Sequence, residues 1–218
     1  MREAASSSAP SAERASPLAG WGQRFAAESA QPAAFAIREV PFASQLNLRG
    51  NAADAAFAGA VRTALGCALP THANTWNECN DCATLWLGPD EWLVVAPDGR
   101  NETLYAALQA GLRDVHHSVT DISANRTIIE ISGEHARLVL AKGCPLDLHG
   151  SAFGPPQCAQ TLLAKAQMIL QCIDARPTFR IFVRISFASY VGEWLLDAAA
   201  ECAAARDLDT QRIARRVS

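Results

Sequence analysis

Cys79-Asn80-Asp81-Cys82 is a C-x-x-C, a spacing that supplies half of a zinc site or a dithiol–disulfide couple. A structural zinc needs four ligands. The chain has no second C-x-x-C and no closely spaced H-x-x-x-H, and His72 is the nearest further ligand in sequence. A redox couple of the usual kind starts a helix after a strand, whereas this pair lies in a polar stretch before an apolar run. Two loop thiols is the simpler expectation. His116-His117 stands at the entry to a strand, where neighbours point to opposite faces, so one ring is expected inside and one outside.

Asp121, Ser123 and Arg126 form a short polar set in D-I-S-A-N-R. Asp121 is the one carboxylate worth testing as a base. The competing reading is turn chemistry, with Asp and Ser accepting backbone N–H groups and Arg126 paired to a carboxylate. Arg180, Phe182 and Arg184 alternate along a strand and share one face. Two guanidiniums beside an aromatic suit a subunit contact as well as a solvated sheet face. Tyr190 and Trp194, on the helix that follows, complete the candidate interface. No G-x-G-x-x-G, no G-x-x-x-x-G-K-[ST] and no spaced Ser-His-Asp or Cys-His set is present. Catalytic, cofactor-binding and metal residues are therefore all assigned as none.

The elements that must position these residues are mixed. Phe35 and Ile37, then Leu46 and Leu48, alternate as strands. Phe57, Val61 and Leu65 recur every four residues before Gly66, which predicts an amphipathic helix with a glycine stop. Residues 67–83 read as a loop. Leu85–Leu87 and Trp92–Val95 flank Gly88-Pro89-Asp90 as a hairpin, and Asn101 is placed to cap a helix through Leu104, Tyr105, Leu108 and Leu112. Val119–Ser123 and Thr127–Ile131 read as strands, and Ser132 as the cap of a short helix ending at Gly143. Periodicity leaves residues 158–173 undecided between two strands and a helix with a strand. Phe179, Ile181 and Val183 mark the clearest strand. Phe187, Tyr190, Val191, Trp194, Leu195, Ala198 and Cys202 mark one face of the clearest helix. Strands do not alternate regularly with long helices, which predicts an α+β fold of two small mixed sheet-and-helix subdomains, with a weak likeness between the halves. The expected divisions are a mobile tail at 1–18, subdomains at 19–115 and 116–204, and a tail at 205–218.

With 218 residues, half of them hydrophobic, the composition is that of a globular chain. A net charge of −3 without a long basic run disfavours nucleic acid. No stretch approaches the roughly 20 apolar residues of a membrane span, and no apolar leader precedes the core, so the expected location is cytoplasmic. Seven cysteines, an odd number, cannot all pair within the chain and fit a reducing compartment.

Four stretches have a more specific likeness: L-W-L-G-P-D-E-W-L-V-V, D-I-S-A-N-R-T-I-I-E-I-S-G-E-H-A-R-L-V-L-A-K-G-C-P-L-D-L, C-A-Q-T and T-F-R-I-F-V-R-I-S-F-A-S-Y-V-G-E-W-L-L-D-A. Together they resemble the gamma subunits of bacterial heterotetrameric sarcosine oxidases, over most of residues 17–203. The C-x-x-C lies outside the likeness. The resemblance implies a fold like the folate-binding domain of aminomethyltransferases. It implies a non-catalytic accessory chain beside alpha, beta and delta subunits. It further implies that FAD, FMN, NAD and tetrahydrofolate are held by alpha and beta, and zinc by delta. The complex would oxidise sarcosine to glycine with tetrahydrofolate and oxygen, giving methylene-tetrahydrofolate and hydrogen peroxide. The alternatives are an independent folate-dependent one-carbon transferase of the same superfamily and a C-x-x-C zinc or redox module.

Overall fold

The computed structural model describes residues 14–29 and 33–201. Ten strands form two five-stranded antiparallel sheets. Sheet I contains β2 (Ser44–Gly50), β3 (Trp76–Cys79), β4 (Cys82–Gly88), β5 (Glu91–Ala96) and β6 (His117–Asp121), in the order β3-β4-β5-β2-β6. Sheet II contains β1 (Ala36–Val40), β7 (Arg126–Ser132), β8 (Cys158–Leu163), β9 (Ala166–Asp174) and β10 (Thr178–Arg184), in the order β1-β7-β10-β9-β8. Helices α2 (Ala55–Leu65) and α3 (Asn101–Gly111) cover the outer face of sheet I. Helices α1 (Gly22–Glu28), α4 (Ala136–Ala141) and α5 (residues 188–201) accompany sheet II. The layers run helix, sheet, sheet, helix, which bears out the α+β expectation.

The halves share one plan. Sheet I is threaded strand, helix, edge strand, strand, strand, helix, strand (β2-α2-β3-β4-β5-α3-β6). Sheet II repeats this as β7-α4-β8-β9-β10-α5, and its last position is filled by β1 from the other end of the chain. The expected division between 19–115 and 116–204 is therefore crossed in both directions. β1 pairs with β7 through Ile37 opposite Ile131, and β6 pairs with β2 through Val119 opposite Leu48. The cause is that each strand completes the sheet where its apolar residues are buried. Residues 1–13 and 202–218, with most of both expected tails and Cys202, lie outside the described residues. Residues 14–18 are held in place, with Leu18 buried and Ser16 Oγ donating to Glu39 at 2.6 Å.

Local chemistry sets the boundaries. α2 begins at Asp54, whose side chain accepts from the Ala56 N–H at 2.8 Å, and ends at Gly66 in the left-handed region (φ 71°). Residues 67–83 are not all loop: β3 and β4 pair around Asn80 and Asp81, both at positive φ, as a tight hairpin. Residues 158–173 resolve into two strands turning at Ala164 (φ 51°). Neither expected side-chain cap forms. Asn101 bonds to Asp121 instead, and Ser132 is the last residue of β7. Gly133 (φ 104°) is required, because a Cβ there would lie 2.6 Å from the Ala34 carbonyl oxygen.

Between the sheets Trp76, Leu85, Leu93, Val95, Ile128, Ile169 and Phe182 form one apolar layer. The Trp76 ring N–H donates across it to the Cys172 carbonyl at 3.0 Å. At its edge Glu130 on β7 accepts from Arg38 on β1 and Arg180 on β10, one carboxylate joining three strands. Phe182 has no exposed surface. Phe182→Ala leaves a cavity between two sheets that cannot close over it, and is expected to cost about 3–5 kcal/mol. Urea denaturation of the isolated chain checks this; a change below about 1 kcal/mol would place Phe182 outside the core.

Candidate functional site

The chain passes from one sheet to the other twice, at residues 41–43 and 122–125, and both crossings lie on the same side. With them lie two equivalent strand-to-helix connections, 97–100 after β5 and 185–187 after β10. Together they line a cavity of about 790 Å³, with Arg14, Phe42, Asp98, Asn101, Asp121 and Arg126 among its walls. The crossings are stitched together. The Gln45 N–H donates to Ser123 Oγ at 2.9 Å, Gln45 Nε2 donates to the Arg126 carbonyl at 2.9 Å, and Ser44 Oγ joins the Pro97 carbonyl to the Arg100 N–H.

Asp121, Ser123 and Arg126, linked only by proximity in the sequence, thus share this cavity. Asp121 Oδ1 accepts from the Ser123 N–H (2.9 Å) and Oγ–H (2.6 Å), and Oδ2 accepts from Asn101 Nδ2 (2.6 Å). Partial burial pushes this carboxyl upward, but the bonds from Ser123 and Asn101 together outweigh it and leave its pKa below the ordinary aspartate range. A carboxylate so well held is a poor proton acceptor. Turn chemistry accounts for Asp121 and Ser123, while the bond to Asn101, twenty residues away, ties β6 to the start of α3.

Arg126 departs from the expectation of a carboxylate partner: among the described residues it makes no ion pair. It is half-buried, and burial first, then Arg184 directly opposite on β10, disfavour its charge, with Glu91 partly offsetting them. The same two arginines and Gln160, Thr161 and Gln167 line a second cavity of about 250 Å³. Two guanidiniums in register on neighbouring strands repel each other unless an anion sits between them.

The five candidate interface residues fare differently. Arg180 is bound to Glu130, and Phe182 is sealed between the sheets. Trp194 packs half-buried over Gly143, where its ring leaves no room for a Cβ. Arg184 and Tyr190 remain exposed. Beside them are two residues that periodicity did not mark as surface, Ile185 (49% exposed) and Phe187 (41%), on a short 3₁₀ turn without a buried residue. Phe187 and Tyr190 stack edge to face at 6.4 Å. The signal available was Ile185-Ser186-Phe187, an apolar pair at a strand-to-helix join where nothing covers it.

The C-x-x-C places Cys79 opposite Cys82 across the hairpin turn, but Cys79 Sγ contacts Cys67, 2.8 Å away. Among the described residues no set of three His, Cys, Asp or Glu side chains is arranged to hold a metal ion. His117 is half-buried with Nδ1 2.8 Å from the Val115 carbonyl oxygen, and His116 is exposed, as strand alternation predicts. Ser151 Oγ meets His149 Nδ1 at 2.7 Å, but Asp147 takes the His149 backbone N–H and not its ring, so no proton relay is built. No described helix is long and apolar enough to cross a membrane.

Two facing sheets with outer helices, joined by double crossings around one cavity, define the class to which the chain belongs. It shares the fold of the glycine cleavage system aminomethyltransferase T from Bartonella henselae, with a TM-score of 0.61 at 16% identity over 79% of this chain and 48% of that one. Sequence similarity narrows the class. Residues 49–201 match the sarcosine oxidase, gamma subunit family, and the chain belongs to that family. It is 40% identical over 168 residues to the sarcosine oxidase subunit gamma of Corynebacterium sp. (strain P-1), covering 77% of this chain and 81% of that protein. It is 37% identical over 178 residues to that of Arthrobacter sp., covering 81% and 86%. A chain of the heterotetrameric sarcosine oxidase from Corynebacterium sp. U-96, solved with pyrrole 2-carboxylate, overlays with a TM-score of 0.78 at 36% identity, covering 87% of this chain and 96% of that one.

The lowered pKa of Asp121 has a pH consequence. A folded value below the unfolded one, about 3.9, means that its hydrogen bonds stabilise the fold above about pH 4. That contribution is lost as pH falls through the depressed folded value. Asp121→Asn is expected to be less stable at pH 7 and to lose less on acidification than the parent. Thermal melts between pH 7 and pH 2.5 measure this; parallel acid limbs would remove Asp121 from the account.

Proposed function

We propose that this chain is a non-catalytic subunit of a heterotetrameric sarcosine oxidase and that its work is assembly and stabilisation of the complex. The observation that carries the reading is the overlay on one chain of such a heterotetramer across 96% of that chain's length. In this reading the partners are alpha, beta and delta subunits in the cytoplasm. FAD, FMN, NAD and tetrahydrofolate are held by alpha and beta, and zinc by delta. The complex oxidises sarcosine to glycine with tetrahydrofolate and oxygen, releasing methylene-tetrahydrofolate and hydrogen peroxide.

The docking surface assigned to this chain runs from Arg126 and Arg184 over Ile185 and Phe187 to Tyr190. Aromatic and arginine side chains are the usual anchors of an interface, and a partner carboxylate between the two guanidiniums relieves their repulsion. An interface of standard size buries about 800 Å² on each partner, more than this turn alone offers, so the surface is the centre of a larger contact. The reading of Asp121 as the base of an independent one-carbon transferase loses support from its three donors and depressed pKa.

Arg184→Glu with Phe187→Ala is expected to weaken assembly on the order of 100-fold, at about 1–2 kcal/mol for each anchor. The isolated chain should melt within a few degrees of the parent, because both side chains are exposed. Co-expression with the partner subunits, followed by size-exclusion chromatography, measures the yield of complex. An undiminished yield would move the interface elsewhere on the chain.

A further inference from the structure

Three thiols gather on the helix-covered side of sheet I where α2 ends. The left-handed turn at Gly66 sends Cys67 into the core, where it is 2% exposed. β3 closes at Cys79, and the Asn80–Asp81 turn returns the chain at Cys82, which is also buried. The hairpin tip sits on the end of α2 so closely that a Cβ on Gly66 would lie 2.9 Å from Asn80 Nδ2. In this packing the Cys79 thiol donates to the Cys67 sulfur at 2.8 Å, and not to its cross-strand neighbour Cys82.

We propose that Cys67 and Cys79 are a dithiol that hydrogen peroxide converts to an intrachain disulfide, with Cys79 as the sulfur the oxidant reaches first. Three observations select this pair. The sulfurs stand within an ångström of the length of an S–S bond, about 2.05 Å, and the hairpin tip holds them there. Cys79 is the partly exposed member of the three. The other two are poor first nucleophiles: burial, reinforced by the Cys79 hydrogen bond, pushes Cys67 up to about 12, and burial pushes Cys82 to about 11.

The chemistry closes in two steps. The Cys79 thiolate attacks one peroxide oxygen, and the O–O bond breaks. This gives a sulfenic acid on Cys79 and a hydroxide that takes up the proton Cys79 released. The Cys67 sulfur then attacks the Cys79 sulfur, the S–O bond breaks, and the departing hydroxide takes the Cys67 proton. Two thiols and one peroxide become one disulfide and two waters, with two electrons passing from sulfur to oxygen. The new bond ties the end of α2 to the edge strand β3. It requires only that peroxide reach Cys79, whatever its source, and so does not rest on the function proposed above.

Treatment of the reduced full-length chain with one equivalent of hydrogen peroxide, followed by alkylation, tests this. Cleavage after Glu78 and before Asp81 puts Cys67, Cys79 and Cys82 on separate peptides for mass spectrometry. The expected product is the Cys67 peptide joined to the Cys79 peptide, lighter by two hydrogens than their sum and separated again by dithiothreitol. It should persist in Cys82→Ser and vanish in Cys67→Ser, where the single equivalent should leave Cys79 as the sulfenic acid, trapped by dimedone added with the peroxide. A link from Cys79 to Cys82, or a wild-type Cys79 recovered only alkylated or as sulfinic acid, would overturn the proposal.

Discussion

An antiparallel sheet with helices on one side still has an apolar inner face to hide, and here each sheet hides its own against the other. Leu85 and Leu93 from sheet I meet Ile128, Ile169 and Phe182 from sheet II, and everything else follows from keeping that layer dry. At its edges Glu130 is tied by two arginines and Gln45 Nε2 by the Arg126 carbonyl. Because the sheets must stack, the two crossings between them run side by side. The cavity is the space that four such connections leave when a duplicated plan closes on itself. It is a by-product of topology before it is anything chemical, and its polar residues serve first to hold the crossings together.

Much of this was legible in local patterns. Phe57, Val61 and Leu65 before Gly66 specify α2, and the alternation Phe179-Ile181-Val183 specifies β10, because each depends on neighbours a few residues away. The same alternation misled at Phe182. A period of two tells which side chains share a face but not what lies opposite it, and here the second face is buried too. β3 escaped notice among Asn74, Asn77, Asn80 and Asp81, although two adjacent residues that tolerate positive φ are themselves a hairpin signal. Asn101 and Ser132 have the right types for caps, but tertiary packing used one to bind Asp121 and the other to finish a strand.

The site was less legible for a related reason. C-x-x-C spacing draws attention to Cys79 with Cys82, yet the contact is with Cys67, twelve residues back, and only the hairpin packed on a helix end brings it there. Arg126 and Arg184 lie 58 positions apart in sequence, and strand register alone makes them face each other. Of the five candidate interface residues Arg184 and Tyr190 are exposed, whereas Arg180, Phe182 and Trp194 make internal contacts. Accessibility is a property of the whole fold, and no single strand or helix determines it.

The borrowing of β1 by sheet II also sets an order of events on the ribosome. β1 leaves the exit tunnel among the first ordered segments, yet its partner β7 emerges some ninety residues later. Sheet I can close as soon as β6 appears, whereas sheet II must wait for β10. Through that interval β1 is a strand with no neighbour, and Arg38 and Glu39 in its middle are the charges that discourage it from finding a wrong one. The nascent chain thus completes sheet I first, and sheet II then assembles against a strand made at the beginning.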